Sequence, residues 1–380
     1  MNTIDRRALL KGLAGAAAVA ALGPSCSSRL RSPNLTVATP SRRRVLARVQ
    51  VRPELVIREV AGLRPFRAPG FRVDAEPLGG KLLVHNYGHG GGGVSLSWGT
   101  AHFAAELALA SPHRTAAVLG AGAVGLATAR LLQDRGFAVT IYARELPPDT
   151  TSNLAGAQWA PVSLVAPDRV TSAFRERYIA ASRYAYRYFQ TLAGDRYGVR
   201  WLENYFLNHA PPQTEDWATA TLFQELFRVE TLPPGAHPFP VPFVRRLLSM
   251  HIDTSHYLRQ VMEDFQVAGG RIVVRSFADP ASVAALAEPV VMNCTGLGAA
   301  VLFGDRELVP VKGQLVVLAP QPEVDYITIG PGPGVMYMMP RRDGIILGGT
   351  FLNGDSTTTP DPDHSRRILT SHAALFDNLR

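Results

Sequence analysis

Short apolar runs and longer helical stripes alternate along most of this chain, and their spacing predicts its elements. Val49, Val51 and Leu55-Val56-Ile57 read as strand, as do Gly62-Leu63-Arg64-Pro65-Phe66-Arg67 and the run Leu82-Leu83-Val84. Residues 98–109 form an apolar, Ala-rich helix that Ser111-Pro112-His113 breaks. A buried strand at 115–119, a glycine turn at 120–125, a helix at 126–134 and a strand at 137–142 make one βαβ unit. Residues 172–193 carry a long helical pattern, 201–207 a strand and 239–243 a punctuated loop. Thr254 or Ser255 can cap a helix that runs to Val267 and stops at Gly269-Gly270. Strands follow at 271–277, 289–292, 314–318, 326–329, 335–339 and 344–348, and a capped helix closes the chain at 361–379. Alternating helices and buried strands predict α/β architecture for one part. The strand-rich hairpins near 310–350 predict a mixed second sheet.

At 380 residues the chain is long enough for about two domains of roughly 100–200 residues each. Its net charge of +8 comes almost wholly from Arg, since Lys stands only at 11, 81 and 312. The arginines are scattered, and the dense run Arg42-Arg43-Arg44 falls in a Ser-, Pro- and Arg-rich linker, so no nucleic-acid partner is expected. Cys26 and Cys294 make neither a metal set nor a disulfide framework. Behind Pro289-Val290-Val291-Met292, Cys294 reads as a small buried hydrophobe. No metal site is expected. Asp5-Arg6-Arg7-Ala8-Leu9-Leu10-Lys11, followed by a mild apolar stretch to Leu22, resembles a twin-arginine export signal. Export by that machinery to the periplasm or the exterior is therefore expected. Ser25-Cys26 could be read as a lipid-attachment site, which Pro24 fits poorly.

Gly120-Ala121-Gly122-Ala123-Val124-Gly125 follows a strand and opens a helix, which is the arrangement of a dinucleotide phosphate cradle. The helix end would face a pyrophosphate with free N–H groups and its positive dipole end. Glu145 lies twenty residues after Gly125, placed to accept ribose hydroxyl hydrogen bonds. This fingerprint alone does not separate NAD from FAD.

His85-Asn86-Tyr87-Gly88-His89-Gly90-Gly91-Gly92-Gly93 resembles the flavin-contacting signature that closes the chain in D-amino-acid oxidases. The Gly120–Gly125 fingerprint resembles the segment that opens it. The two occur here in swapped order, so the chain looks like a circularly permuted member of that family. Ala143-Arg144-Glu145-Leu146-Pro147, Ala155-Gly156-Ala157-Gln158-Trp159-Ala160-Pro161, Asn293-Cys294-Thr295-Gly296-Leu297-Gly298 and Pro310-Val311-Lys312-Gly313-Gln314 are similar to further stretches of the same family. The resemblance implies FAD as cofactor, with Gly120, Gly122, Ala123, Val124, Gly125, Glu145, Thr150, Thr151, Gly156, Ala157 and Val274 along it. It also places Gly90, Gly91, Gly92, Gly93, Val94 and Ser95 at the flavin's pyrimidine edge, where amide donors and a helix dipole favour the reduced state.

Two residues are implied to handle substrate. Arg64 matches the arginine that pairs with the substrate carboxylate, a task that suits a planar fork. Tyr337, in Tyr337-Met338-Met339-Pro340, matches the tyrosine supporting the same group. Arg67, Arg341 and Arg342 are expected at the surface or in a hairpin, although Arg341 or Arg342 near a pocket mouth would favour acidic substrates. The segment Gly330-Pro331-Gly332-Pro333-Gly334 is shorter than the vertebrate active-site lid and lacks its second tyrosine.

The implied fold class is α/β: a Rossmann-type FAD-binding domain plus a mixed β-sheet substrate domain, D-amino-acid-oxidase-like and circularly permuted. Residues 1–28 are the signal segment, 29–48 a linker and 49–75 a permuted piece of the substrate domain. Residues 76–168 are the FAD-binding domain, 169–284 mix elements of both, 285–303 return to the FAD-binding domain, and 304–380 complete the substrate domain with the terminal helix. The implied reaction is oxidation of a D-amino acid to an imino acid, and then to a 2-oxo acid and ammonia. Hydride passes to flavin N5, and oxygen or another electron acceptor follows. Oxidation of glycine or an N-methyl amino acid, a secreted flavin-binding protein without turnover, and an NAD dehydrogenase remain open, as does a homodimer.

Overall fold

The computed structural model describes residues 44–211, 225–331 and 335–380. Arg6-Arg7, the apolar stretch behind them, Cys26 and most of the linker lie outside the described residues. In chain order, β1 (Val56–Arg67), β2 (Arg72–Leu78) and β3 (Lys81–Tyr87) come first. Then follow α1 (Gly93–Leu109), β4 (Thr115–Leu119), α2 (Ala123–Asp134), β5 (Ala138–Ala143), α3 (Ser172–Thr191) and β6 (Val199–Asn208). Next are β7 (Glu230–Leu232), β8 (Phe243–Ile252), a helix at Thr254–Val267, β9 (Arg271–Val274) and β10 (Val290–Asn293). The chain ends with β11 (Leu308–Leu318), β12 (Tyr326–Ile329), β13 (Tyr337–Arg341), β14 (Gly344–Gly348), β15 (Leu352–Asn353) and the helix Pro362–Asp377.

Two sheets organise these elements. A six-stranded sheet runs β2-β3-β10-β4-β5-β9. Its strands from β3 to β9 are all parallel, and β2 alone pairs antiparallel at the edge. Helices cover its faces, so its central strands are apolar, as in Val290-Val291-Met292. The Ala-rich α1 approaches α3 so closely that a Cβ at Gly99 would overlap the Ala181 carbonyl. A nine-stranded mixed sheet runs β1-β11-β14-β13-β12-β6-β8-β7, with β15 paired to β11. The terminal helix packs its Ile368, Leu375 and Phe376 into the core of this sheet.

Several expectations shift in detail. No strand forms over 49–51. The polar β2 and the arginine-bearing β8 were invisible to apolar periodicity. β2 spans the expected boundary at residue 75 and belongs wholly to the six-stranded sheet, so the chain crosses between sheets at 68–71. Asp253, not Thr254 or Ser255, occupies the cap position of the Thr254–Val267 helix. Cys294 is buried, with its thiol pushed up to about 12 by burial.

Candidate active site

The carboxyl ends of the parallel strands bring the glycine motifs into one line. The Gly90–Gly92 turn follows β3, the loop at Thr295 follows β10, the Gly120 turn follows β4, Glu145 follows β5, and Val274 ends β9. Across β3-β10-β4-β5-β9 the four inter-strand steps span roughly 19 Å. A ligand crevice forms at this edge of open α/β sheets.

At the centre of the line Gly120 has φ +106, and a Cβ there would stand 2.6 Å from the Cys294 carbonyl. A Cβ at Gly125 would overlap the Gly120 carbonyl, so this glycine lets α2 settle on its strand. Gly122 caps α2 without any side chain, and a Cβ on it would stand 3.0 Å from Ser152 Oγ. Ser152 Oγ accepts the Ala123 N–H at 3.0 Å, while Val124 opens the helix behind it. Glu145 is about half exposed and pairs with Arg144 at 3.0 Å. Val274 is exposed beside Ala143. Thr150 is buried and donates its hydroxyl to Asn153 Oδ1 at 2.8 Å, whereas Thr151 remains exposed.

The four-glycine run divides into two parts. Gly91 donates its N–H to Ser163 O at 3.1 Å, and Gly92 donates to His89 O at 2.9 Å. A Cβ at Gly90 would overlap the Ser163 carbonyl, and one at Gly92 would stand 2.7 Å from Leu164. Thus Gly90, Gly91 and Gly92 admit a crossing segment, 153–164. The start of α1 at Gly93, Val94 and Ser95 is left to present helix N–H groups. Ser95 Oγ takes the Ala160 N–H at 3.2 Å.

The same crossing segment carries Gly156 and Ala157 against the large sheet. Ala157 has φ +59, and its carbonyl accepts Ile252 N–H at 2.8 Å. A Cβ on Gly156 would stand 2.6 Å from Met339 Sδ and 3.3 Å from the Tyr337 ring. Arg64 lies beside the Tyr337 hydroxyl. Burial pushes the Tyr337 phenol up, and the Arg64 charge and hydrogen bonding offset part of that rise. On the same face of β1, Gly62 meets Leu154 and Phe66 meets the Gly90 turn, so Arg64 sits between the two. Arg64 donates to Thr350 O at 3.3 Å, and its guanidinium lies 5.6 Å from the Phe351 ring centre. Neighbouring Arg58 and Arg67 pair with Asp343 and Asp305, but among the described residues no carboxylate pairs with Arg64.

Arg341 stands in the β13–β14 hairpin, as expected, but differs in its exposure. It is buried, not at the surface. Its guanidinium binds both oxygens of Asp343 and donates to Asn153 O, Ala155 O and the Thr254 hydroxyl at 2.7, 3.1 and 2.9 Å. It therefore anchors the crossing segment and has no free donor side for a substrate. Arg342 turns to Asp195, and Arg67 is largely buried between Asp305 and the Gly70 carbonyl. Ser152 escaped the sequence reading, and so did the buried contacts of Arg341, because their partners lie far away along the chain.

A family model described as FAD dependent oxidoreductase matches residues 115–380. The chain belongs to this family. Its cofactor is FAD, and the chain is an oxidoreductase. The structure fits that cofactor: Gly122 leaves the N-terminus of α2 without a side-chain cap, and this helix end stands at the carboxyl ends of the strands, where a pyrophosphate would lie. The protein is 32% identical over 268 residues to a D-amino-acid oxidase of Rubrobacter xylanophilus, covering 70% of this chain and 78% of that one. It is 28% identical over 268 residues to a human D-aspartate oxidase, covering 69% and 76%. A glycine oxidase structure from Bacillus cereus aligns with 14% identity and a TM-score of 0.49, covering 69% of this chain and 78% of that one.

Proposed function

We propose that this family member oxidises D-amino acids with uncharged side chains to imino acids, which water converts to 2-oxo acids and ammonia. The observation that carries the reading is Arg64, a cation with no carboxylate partner among the described residues, laid beside a buried tyrosine hydroxyl. Its planar fork suits a substrate carboxylate in two parallel hydrogen bonds. With its pKa raised, Tyr337 stays protonated and donates a further bond to the same group. Two fixed contacts on one carboxylate orient the Cα–H bond and the amine, which is where catalysis by positioning arises. FAD, when bound, supplies the acceptor for the hydride, and oxygen or another acceptor then removes the electrons. Leu154, Met339 and Phe351 give the surroundings an apolar character, and Arg341 is already fully engaged, so a second carboxylate on the substrate finds no partner there. The D configuration is drawn from similarity to D-amino-acid oxidase and D-aspartate oxidase.

The test is steady-state turnover of D-alanine, D-aspartate and glycine by the wild type and Arg64→Leu. The variant is expected to keep its FAD and to lose about 3–5 kcal/mol of carboxylate binding and orientation, or roughly 150- to 5,000-fold in kcat/KM. Unchanged kcat/KM would show that the carboxylate is held elsewhere.

We also propose that the chain order is a circular permutation of the D-amino-acid oxidase order. In its support, residues before the family match at 115 contribute β1 to the large sheet and β2, β3 and α1 to the small domain. Export by the twin-arginine route remains our proposal from Arg6-Arg7. Replacing both with Lys should hold the flavin-loaded protein in the cytoplasm, and normal export of that variant would refute the route.

A further inference from the structure

Where β11 passes from β14 to β15, the antiparallel ladder carries one extra residue. Leu315 faces Gly348 on one side of the break, and Lys312 faces Leu352 on the other. Gly313 and Gln314 of β11 therefore stand opposite Gly349, Thr350 and Phe351, which is the pattern of a β-bulge. A bulge frees main-chain groups from the ladder and re-aims them.

Each bulge residue meets one of the two candidate substrate groups. A Cβ at Gly349 would stand 3.8 Å from the Tyr337 hydroxyl and 2.7 Å from Gln314 O. Thr350 O accepts from Arg64 Nη1 at 3.3 Å, and the Phe351 ring centre lies 5.6 Å from the same guanidinium. Thr350 is buried. Its hydroxyl accepts the Gln314 N–H at 2.8 Å, filling the place of a ladder carbonyl, and reaches Lys312 O at 3.5 Å. With the side chain serving the ladder, the Thr350 carbonyl is released to Arg64. Gln314 is in turn fixed, since its amide group is bonded to Asp361 and Ser365 at the start of the terminal helix.

We propose that Thr350 is a positioning residue for the substrate: its hydroxyl pins the bulge, and its carbonyl thereby holds the Arg64 guanidinium in the orientation that receives a carboxylate. The inference rests on the reading of Arg64 as the carboxylate anchor. A guanidinium with one donor taken by a fixed carbonyl keeps its other donors in one plane and direction, so less freedom is lost when two carboxylate oxygens arrive. Without the hydroxyl, the Gln314 N–H is buried with no acceptor. The bulge must then shift to supply one, and the carbonyl that holds Arg64 shifts with it.

The experiment measures kcat and KM for D-alanine, and calorimetric binding of propionate, in the FAD-loaded wild type, Thr350→Val, Thr350→Ser, Arg64→Leu and the double variant Thr350→Val/Arg64→Leu. Valine keeps the shape of threonine and loses the hydroxyl. Thr350→Val is expected to weaken propionate binding and raise KM roughly three- to tenfold with FAD content unchanged, and Thr350→Ser to recover most of that loss. In the Arg64→Leu background the valine is expected to change kcat/KM by less than about twofold, because a residue that acts through Arg64 has nothing left to act on. If Arg64→Leu leaves propionate binding and kcat/KM at wild-type levels, the carboxylate assignment fails and this inference with it. If Arg64→Leu weakens both but Thr350→Val does not, or if the valine costs as much without Arg64 as with it, the role of Thr350 alone is overturned. Thr350→Ala carries the same comparison if the valine variant does not fold.

Discussion

Arg64 and Tyr337 lie across the large sheet because their neighbours have no side chains. A Cβ at Gly313 on β11 would overlap the Arg64 guanidinium, and a Cβ at Gly348 on β14 would overlap the Tyr337 ring. The two glycines are thus seats for the two candidate substrate groups. Adding one methyl forces the overlying side chain or the backbone to move, at a cost of about 1–3 kcal/mol. Gly313→Ala and Gly348→Ala are therefore expected to raise KM for D-alanine about tenfold or more, while FAD remains bound. Equal KM in folded variants would show that neither seat matters. Arg64 and Tyr337 could be picked out in the sequence because their segments resemble a known pattern. Gly313 stood in a segment noted only for resemblance, and its purpose depends on a neighbour across β1–β11, which spacing along the chain does not reveal. Arg341 failed for the same reason: an arginine in a hairpin reads as exposed until Asn153, Ala155 and Thr254 are seen to surround it.

At the scale of elements, the crossing segment 153–164 joins the two sheets. On one side Ser163 O holds the Gly91 N–H, and on the other Met250 O and Ile252 N pair with Trp159 N and Ala157 O. Ala157 and Ser163 both take left-handed φ, at +59 and +57, an uncommon conformation for residues with a Cβ. Two histidines are buried around this segment. His89 bonds the Thr100 hydroxyl, and His251 lies near Gly156 among Arg200, Arg341 and Asp253. Burial pushes both down to about 3. Below pH ~6.5 the unfolded chain takes up protons at these two sites that the folded chain refuses until about pH 3, so stability is full above 6.5 and falls as pH drops through that window. Burial of His85 and His372 acts in the same direction. Each fully buried histidine should lose about 1 kcal/mol between pH 7.5 and 5.5. Urea unfolding midpoints at those two pH values check this, and a midpoint that holds or rises at pH 5.5 would contradict it.

For the whole molecule, the βαβ unit and most later strands were legible because apolar runs, glycine turns and helix stripes mark buried parallel strands plainly. β2 and β8 were not, since polar and charged residues interrupt their patterns and only pairing with β3 and β6 defines them. The role of the first three glycines at 90–92 was likewise hidden, because a glycine run looks the same whether it admits a ring or a neighbouring chain. In the proposed reaction the cofactor edge of one sheet works with Arg64 on the other, which meets no carboxylate among the described residues. The most direct measurement is anaerobic mixing of the FAD-loaded protein with D-alanine and, separately, L-alanine, following flavin absorbance near ~450 nm; the reduced flavin is favoured where amide donors meet its charge. The account predicts bleaching by D-alanine and none by L-alanine. A flavin that D-alanine and other D-amino acids leave oxidised, or that L-alanine reduces as fast, would contradict it.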